Sequence, residues 1–262
     1  MFAATGQDQA DVIPLGIGAI IFTCAFGGAL GGMVLRTRMP AHHLTKETED
    51  AVKLGMGMIA TLAALVIGLL VASAKSSYDT KEAELRRFAA NLILLDRQLV
   101  HYGPEASAAR ELLRRYTVFA LDLVWPNEAS HPVDERDGFM LVEDVQDTLR
   151  AMAPRDDAHR WLQARALQIS ADLAGTQWLL DVQRGGAIRT LFLVFLAFWL
   201  TVIFISFGVF GPRHVTMITA LFVCAFSVAG AIFLILEMDR PFLGLLHLSS
   251  APMREALARL SQ

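Results

Sequence analysis

The chain has 262 residues, is 54% hydrophobic and 19% charged, and carries a formal net charge of -3. A chain this apolar and slightly acidic offers no clustered basic surface, which argues against a nucleic-acid partner. Its two cysteines, Cys24 and Cys224, sit inside apolar segments and read as small buried hydrophobes, not as a disulfide or a metal pair.

Four apolar stretches set the organisation: Val12–Leu35, Leu54–Ser73, Leu191–Phe210 and Val215–Met238. Each has about 20 residues or slightly more, enough at ~1.5 Å per residue to cross a ~30 Å hydrocarbon core. Apart from Glu237, none holds an acid, Lys or Arg. In lipid the backbone must satisfy its own hydrogen bonds, so all four are predicted to be helices. The first has no Lys or Arg ahead of it and is longer than the apolar run of a cleavable signal, so it reads as a span.

The expected class is an all-α membrane protein with four transmembrane helices in two hairpins. An extramembrane helical bundle is continuous with the second and third. By position this gives a first hairpin over 12–73, a helical domain over 74–187, a second hairpin over 188–240 and an interfacial tail over 241–262.

In chain order, the first span carries Gly27, Gly28, Gly31 and Gly32, two overlapping pairs of small residues spaced by four. Such pairs let another helix approach closely, so these four are the packing candidates. The following loop holds a helix-start pattern at Thr45, Glu47, Glu49 and Asp50. His42 and His43 are adjacent, point in different directions and read as a surface pair, not as metal ligands.

From Leu54 to Tyr102 there is no proline, and Gly68 is the last glycine before Gly103. Apolar residues keep helical spacing through Phe88, Leu92, Leu95 and Leu99. One helix is therefore predicted from the membrane into the hydrophilic domain, stopped at Gly103-Pro104. Further helices are predicted at Glu105–Trp125, Phe139–Met152 and Asp156–Gln183, with a loop over 127–138. Asp156 and Asp157 read as first-turn charges of the last of these. His101 and His159 read as surface residues.

The third and fourth spans are predicted to be antiparallel neighbours, because only Gly211–His214 separates them. Beyond Met238 the tail is weakly amphipathic, and Leu245, Leu246 and Leu248 suit a membrane interface. Charge places the sides. The short loops carry Arg36, Arg38, Lys46, Lys53 and Arg213, while the other side has Lys75, Lys81, Arg86, Arg87, Arg184, Arg189 and Arg240 spread over a stretch more than twice as long, and the N-terminal tail has Asp8 and Asp11 but no base. The positive-inside tendency thus favours an outside N-terminus.

No phosphate loop, nucleophile elbow, Cys/His cluster or dinucleotide fingerprint is present. No enzyme activity, cofactor or metal is expected. Two clusters stand out. Gly57, Thr61, Ala64, Gly68, Ala72, Lys75 and Asp79 recur every three or four residues and share one helix face, with Ser76 beside Lys75. This face either packs on another helix or lines a water-filled path, with Lys75 and Ser76 offering donors to an anion. Glu237, Asp239 and Arg240 stand at the end of the fourth span. They form either a local helix-end ion pair or a gate.

The runs HHLTKETEDAVKLGMGMIATLAALVIGLLVASAKSSYDT, LLDRQLVHYGPEA, RWLQARALQISADLAGTQWLL and the second hairpin through LILEMDRPF resemble the bestrophin-like domain family of bacterial membrane proteins. That family is classed as a domain of unknown function and is distantly related to bestrophins, which are pentameric, α-helical, anion-selective channels. The resemblance implies a multi-pass protein of the bacterial inner membrane and a homo-oligomer, pentameric by analogy, with the lipid bilayer as its partner. It also implies a cytoplasmic large domain, opposite to the loop charges. Bestrophins constrict their pore with aromatics on the second membrane helix, whereas Leu54–Ser73 has none. The functional expectation is an anion-conducting channel lined by the long second helix. A non-conducting scaffold or envelope sensor whose helical domain binds a partner protein is the alternative.

Overall fold

The computed structural model describes residues 3–40, 45–125, 135–182, 190–239 and 247–261. In chain order the helices are α1 (Ala3–Arg38), α2 (Lys46–Tyr102), α3 (Ser107–Val124), α4 (Glu135–Ala151), α5 (Asp157–Val182), α6 (Thr190–Phe210), α7 (Val215–Asp239) and α8 (Ala251–Leu260). A short 3-10 turn, Pro104–Ala106, precedes α3. No strand occurs among the described residues. α1, α2, α6 and α7 are long and apolar enough to cross a membrane. The protein is an all-α membrane protein.

The chain divides into two compact units, Met1–Tyr78 with Gly186–Leu246, and Asp79–Gly185 with His247–Gln262. α2 is one uninterrupted helix of 57 residues, about 85 Å long at 1.5 Å per residue. Thr45 starts it: the hydroxyl accepts the Thr48 amide at 3.4 Å and meets the Thr48 hydroxyl at 3.0 Å. Gly103 ends it at φ +111°, a conformation that disfavours any side chain. The helix thus begins eight residues before the apolar run, within the loop that follows the first span.

In the first unit α1 lies against α6 and α7. Ile21, Leu193, Leu196, Leu200, Ile203, Ile232 and Leu236 form one buried cluster with Ala63 of α2. Ala25, Ala29, Met33, Phe204, Leu221 and Ala225 form a second. Both clusters are joined through α1, which packs closely on α6 and on α7, whereas α6 and α7 make little close backbone contact with each other, unlike the neighbouring hairpin the short turn predicts. Lipid is as apolar as these side chains, so close packing rather than exclusion from water must hold the helices together. The same physics corrects the cysteine expectation. Cys24 and Cys224 are exposed, because the outer face of a membrane helix can be as apolar as its inner face.

The second unit is built on a heptad stripe. Leu85, Phe88, Leu92, Leu95, Leu99 and Tyr102 of α2 are all buried, at alternating steps of three and four. Leu113 and Tyr116 of α3, Val145 and Leu149 of α4, and Ile169 and Leu173 of α5 are buried in the same unit. Burial pushes the Tyr116 phenol well above its ordinary value. α4 starts at Glu135, four residues before the expected position. Only Gly138 opposes that extension, at a cost of about 1 kcal/mol in a helix interior. The tail departs from the interfacial expectation. Its second half folds as α8 against α3, with Leu248, Met253, Ala256 and Leu260 buried and the Trp125 indole N–H donating to Leu248 O at 3.0 Å. Leu245 and Leu246 lie outside the described residues.

Candidate functional site

α2 offers the first unit one face and leaves the others open. Ala63 is buried, and Met56, Ile59, Ala60, Ile67 and Leu70 pack beside it. Gly57, Thr61, Ala64, Gly68, Ala72, Lys75, Ser76 and Asp79 are all exposed in the protomer. At 3.6 residues per turn, the centre of that stripe is roughly 140° around the helix from Ala63. Among the described residues nothing would lie within 4 Å of a Cβ added at Gly57 or Gly68. At Gly57 and Gly68 the stripe is therefore open among the described residues.

Its chemistry is mild. Thr61 donates its hydroxyl to Gly57 O at 2.8 Å, which leaves the oxygen lone pairs available. The Lys75 ammonium sits 5.5 Å from the Tyr78 ring centroid, within range of a cation–π attraction. One step around the helix stand Leu54, Met58, Leu62, Leu65 and Leu69, all exposed. α2 therefore carries three zones: a packed face, a bulky apolar flank, and a narrow small-residue face with polar groups at one end.

The other expected gate residues are buried. Glu237 and Asp239 are 2% and 5% exposed, and both interact with other groups. Being two apart, they point to different sides of α7 and do not act as a pair within it. Arg240 lies outside the described residues. His42 and His43 do too.

The four packing glycines separate into two kinds. A Cβ on Gly28 would sit 3.2 Å from Ile205 Cγ1 and 3.3 Å from Thr201 Cγ2 of α6. A Cβ on Gly32 would strike the Ile205 carbonyl. A Cβ on Gly27 or Gly31 would meet nothing within 4 Å among the described residues. One overlapping pair touches α6 and the other faces outward.

In the second unit, His101 is exposed while His159 is half-buried, its ring edge-on to Tyr102 at 5.0 Å between centroids. Asp156 Oδ1 accepts the His159 amide at 2.8 Å, which caps α5. No cluster of three or more His, Cys, Asp or Glu placed to hold a metal ion occurs among the described residues.

Two features escaped sequence reasoning. Phe22 and Phe26 of α1 meet Phe222 of α7 edge-on at 5.4 Å between centroids, and Phe226 extends the group. Arg36 donates to Gly211 O at 2.6 Å, across 175 residues of sequence. Neither has a local signal, since each joins segments far apart in the chain.

Comparison with solved structures finds the same fold in three point variants of a bacterial bestrophin homologue from Klebsiella pneumoniae. One matches with a TM-score of 0.64 at 13% identity, covering 92% of this chain and 96% of that one. A second gives 0.63 at 14% identity over 95% and 99%. A third gives 0.61 at 12% over 88% and 97%. At such identities the likeness is one of fold. No curated protein sequence matches the chain. The family model described as the Bestrophin-like domain matches residues 23–253, nearly the whole length, and on that ground the chain belongs to the Bestrophin-like domain family.

Proposed function

We propose that the protein assembles with copies of itself into an ion channel of the bacterial inner membrane, passing anions along a path lined by the small-residue face of α2. The observation that carries this reading is the exposure of Gly57, Thr61, Ala64, Gly68 and Ala72 on the side of α2 away from its packed face. Several such helices arranged round an axis leave a wide, partly polar path, because Gly and Ala project little and Thr61 adds a hydroxyl. The exposed flank from Leu54 to Leu69 then meets the neighbouring copy or lipid. Lys75 at the end of the face raises the local anion concentration, since unit charges ~4 Å apart interact by about 4 kcal/mol at an effective dielectric of 20.

Purified protein in liposomes tests this by chloride flux. Wild-type vesicles should pass chloride, and Lys75→Glu should lower that flux or shift selectivity toward cations. Vesicles that pass no ion refute the channel reading. A non-conducting membrane scaffold or envelope sensor, whose helical domain binds a partner protein, then takes its place. The observation in favour of that alternative is the unbroken α2, which supplies residues to both units.

A further inference from the structure

We infer that Arg36 and Arg213, where α1 ends and α6 turns into α7, form a binding site for a phosphate-type anion. The two guanidinium groups are crossed. Arg36 on α1 donates to Gly211 O at 2.6 Å, just beyond α6, and Arg213 on the turn donates to Met33 O of α1. Each therefore ties itself to the carbonyl end of the other's helix, where the backbone dipole favours a cation.

One such bond uses one of five N–H donors, leaving most of each planar fork unspent. Both side chains border one hollow with Thr37 and Pro212. Two like charges held on one hollow repel, and a bound anion would offset that repulsion. Glu49, whose carboxylate feels the Arg36 charge, is already bonded to Lys53 at 2.6 Å.

Position selects the ligand class. α1 and α6 are helices of membrane-spanning length, so their ends fall near headgroup depth. A guanidinium fork matches two phosphate oxygens. Basic pockets between helix ends are where phosphate headgroups bind. The shared chemistry is a phosphate ester or phosphate oxyanion, from an anionic lipid headgroup or from free phosphate.

The test uses full-length protein in detergent and three probes: phosphatidylglycerol, zwitterionic phosphatidylcholine and inorganic phosphate. Bound lipid is counted by native mass spectrometry. Wild type should prefer phosphatidylglycerol over phosphatidylcholine by about tenfold. Arg36→Gln with Arg213→Gln should abolish the preference. Those arginines also brace helix ends, so Thr37→Glu provides the second variant, setting a carboxylate on the rim while keeping both Arg–carbonyl bonds. It should lose the preference at wild-type thermal stability. Displacement of the lipid by millimolar inorganic phosphate identifies free phosphate as a ligand of the same site. No displacement identifies the lipid headgroup. Absence of any preference in wild type, or its survival in Thr37→Glu, overturns the site.

Discussion

Gly32 of α1 and Gly208 of α6 open their helices to each other: a Cβ on Gly32 would strike Ile205 O, and one on Gly208 would strike Ala29 O. Neither obstacle is a side chain that could turn aside, so the helices must separate if either glycine gains a methyl. Ala is the better helix former by about 1 kcal/mol, yet overpacking costs roughly 1–3 kcal/mol per site. Gly32→Ala and Gly208→Ala should each lower the detergent melting temperature. Gly31→Ala, with open space around it, should leave the protomer's melting unchanged or raise it. Equal melting of Gly31→Ala and Gly32→Ala would remove the close-contact account.

The open face of α2 makes the opposite prediction. Among the described residues no atom would lie within 4 Å of a Cβ at Gly68, so a side chain there starts into open space. If the face lines the path, the ring of Gly68→Phe narrows it, and flux should fall at least severalfold with assembly retained. If the face is a seam between copies, the same ring should instead dissociate the oligomer. Cross-linking followed by size-exclusion chromatography separates the two outcomes.

How far the chain could be read depended on where its information lies. α2 was legible because continuity is local: from Leu69 to Tyr102 no residue breaks a helix, and the apolar spacing never lapses. The choice between Gly28/Gly32 and Gly27/Gly31 was not. Both pairs have the same spacing, and only the rotation of α1 against α6 decides which is covered. α8 was missed for a related reason. Its apolar side, with Met253, Ala256 and Leu260, is compatible with a lipid interface or a protein groove, and α3 supplies the groove. The stripe from Gly57 to Asp79 was legible as a face, whereas what meets that face is a property of more than one chain.

Asp96 and Arg110 offer a test of the second unit alone. Asp96 is 6% exposed and takes two bonds from the Arg110 guanidinium, at 2.7 and 3.3 Å. Removing the cation leaves a buried carboxylate without that partner, so Arg110→Ala should destabilise this unit by about 2–4 kcal/mol. Replacing both partners by Leu should recover much of the loss, since no charge then remains buried. A double-mutant cycle on urea midpoints measures the coupling. Additive losses, with no recovery in the double variant, would show that the pair contributes nothing of its own.

Asp156 predicts a pH response at the start of α5. Its carboxyl is held below the ordinary value of 3.8, first by the His159 backbone amide and then by the His159 side chain, 2.7 Å away. A carboxylate lowered on folding stabilises above its unfolded value, and that contribution disappears as pH falls through the lower folded value. The cap should therefore be intact at neutral pH and loosen below about pH 4. Asp156→Asn keeps an acceptor oxygen for the His159 amide but cannot titrate in this range. Its first α5 amides should exchange with solvent near the wild-type rate at neutral pH and, relative to intrinsic rates, change less on acidification. Asp156→Ala, lacking the acceptor, should exchange faster at every pH. If Asp156→Asn and wild type loosen in parallel as the pH drops, the acid response of α5 comes from some other group and the Asp156 assignment fails.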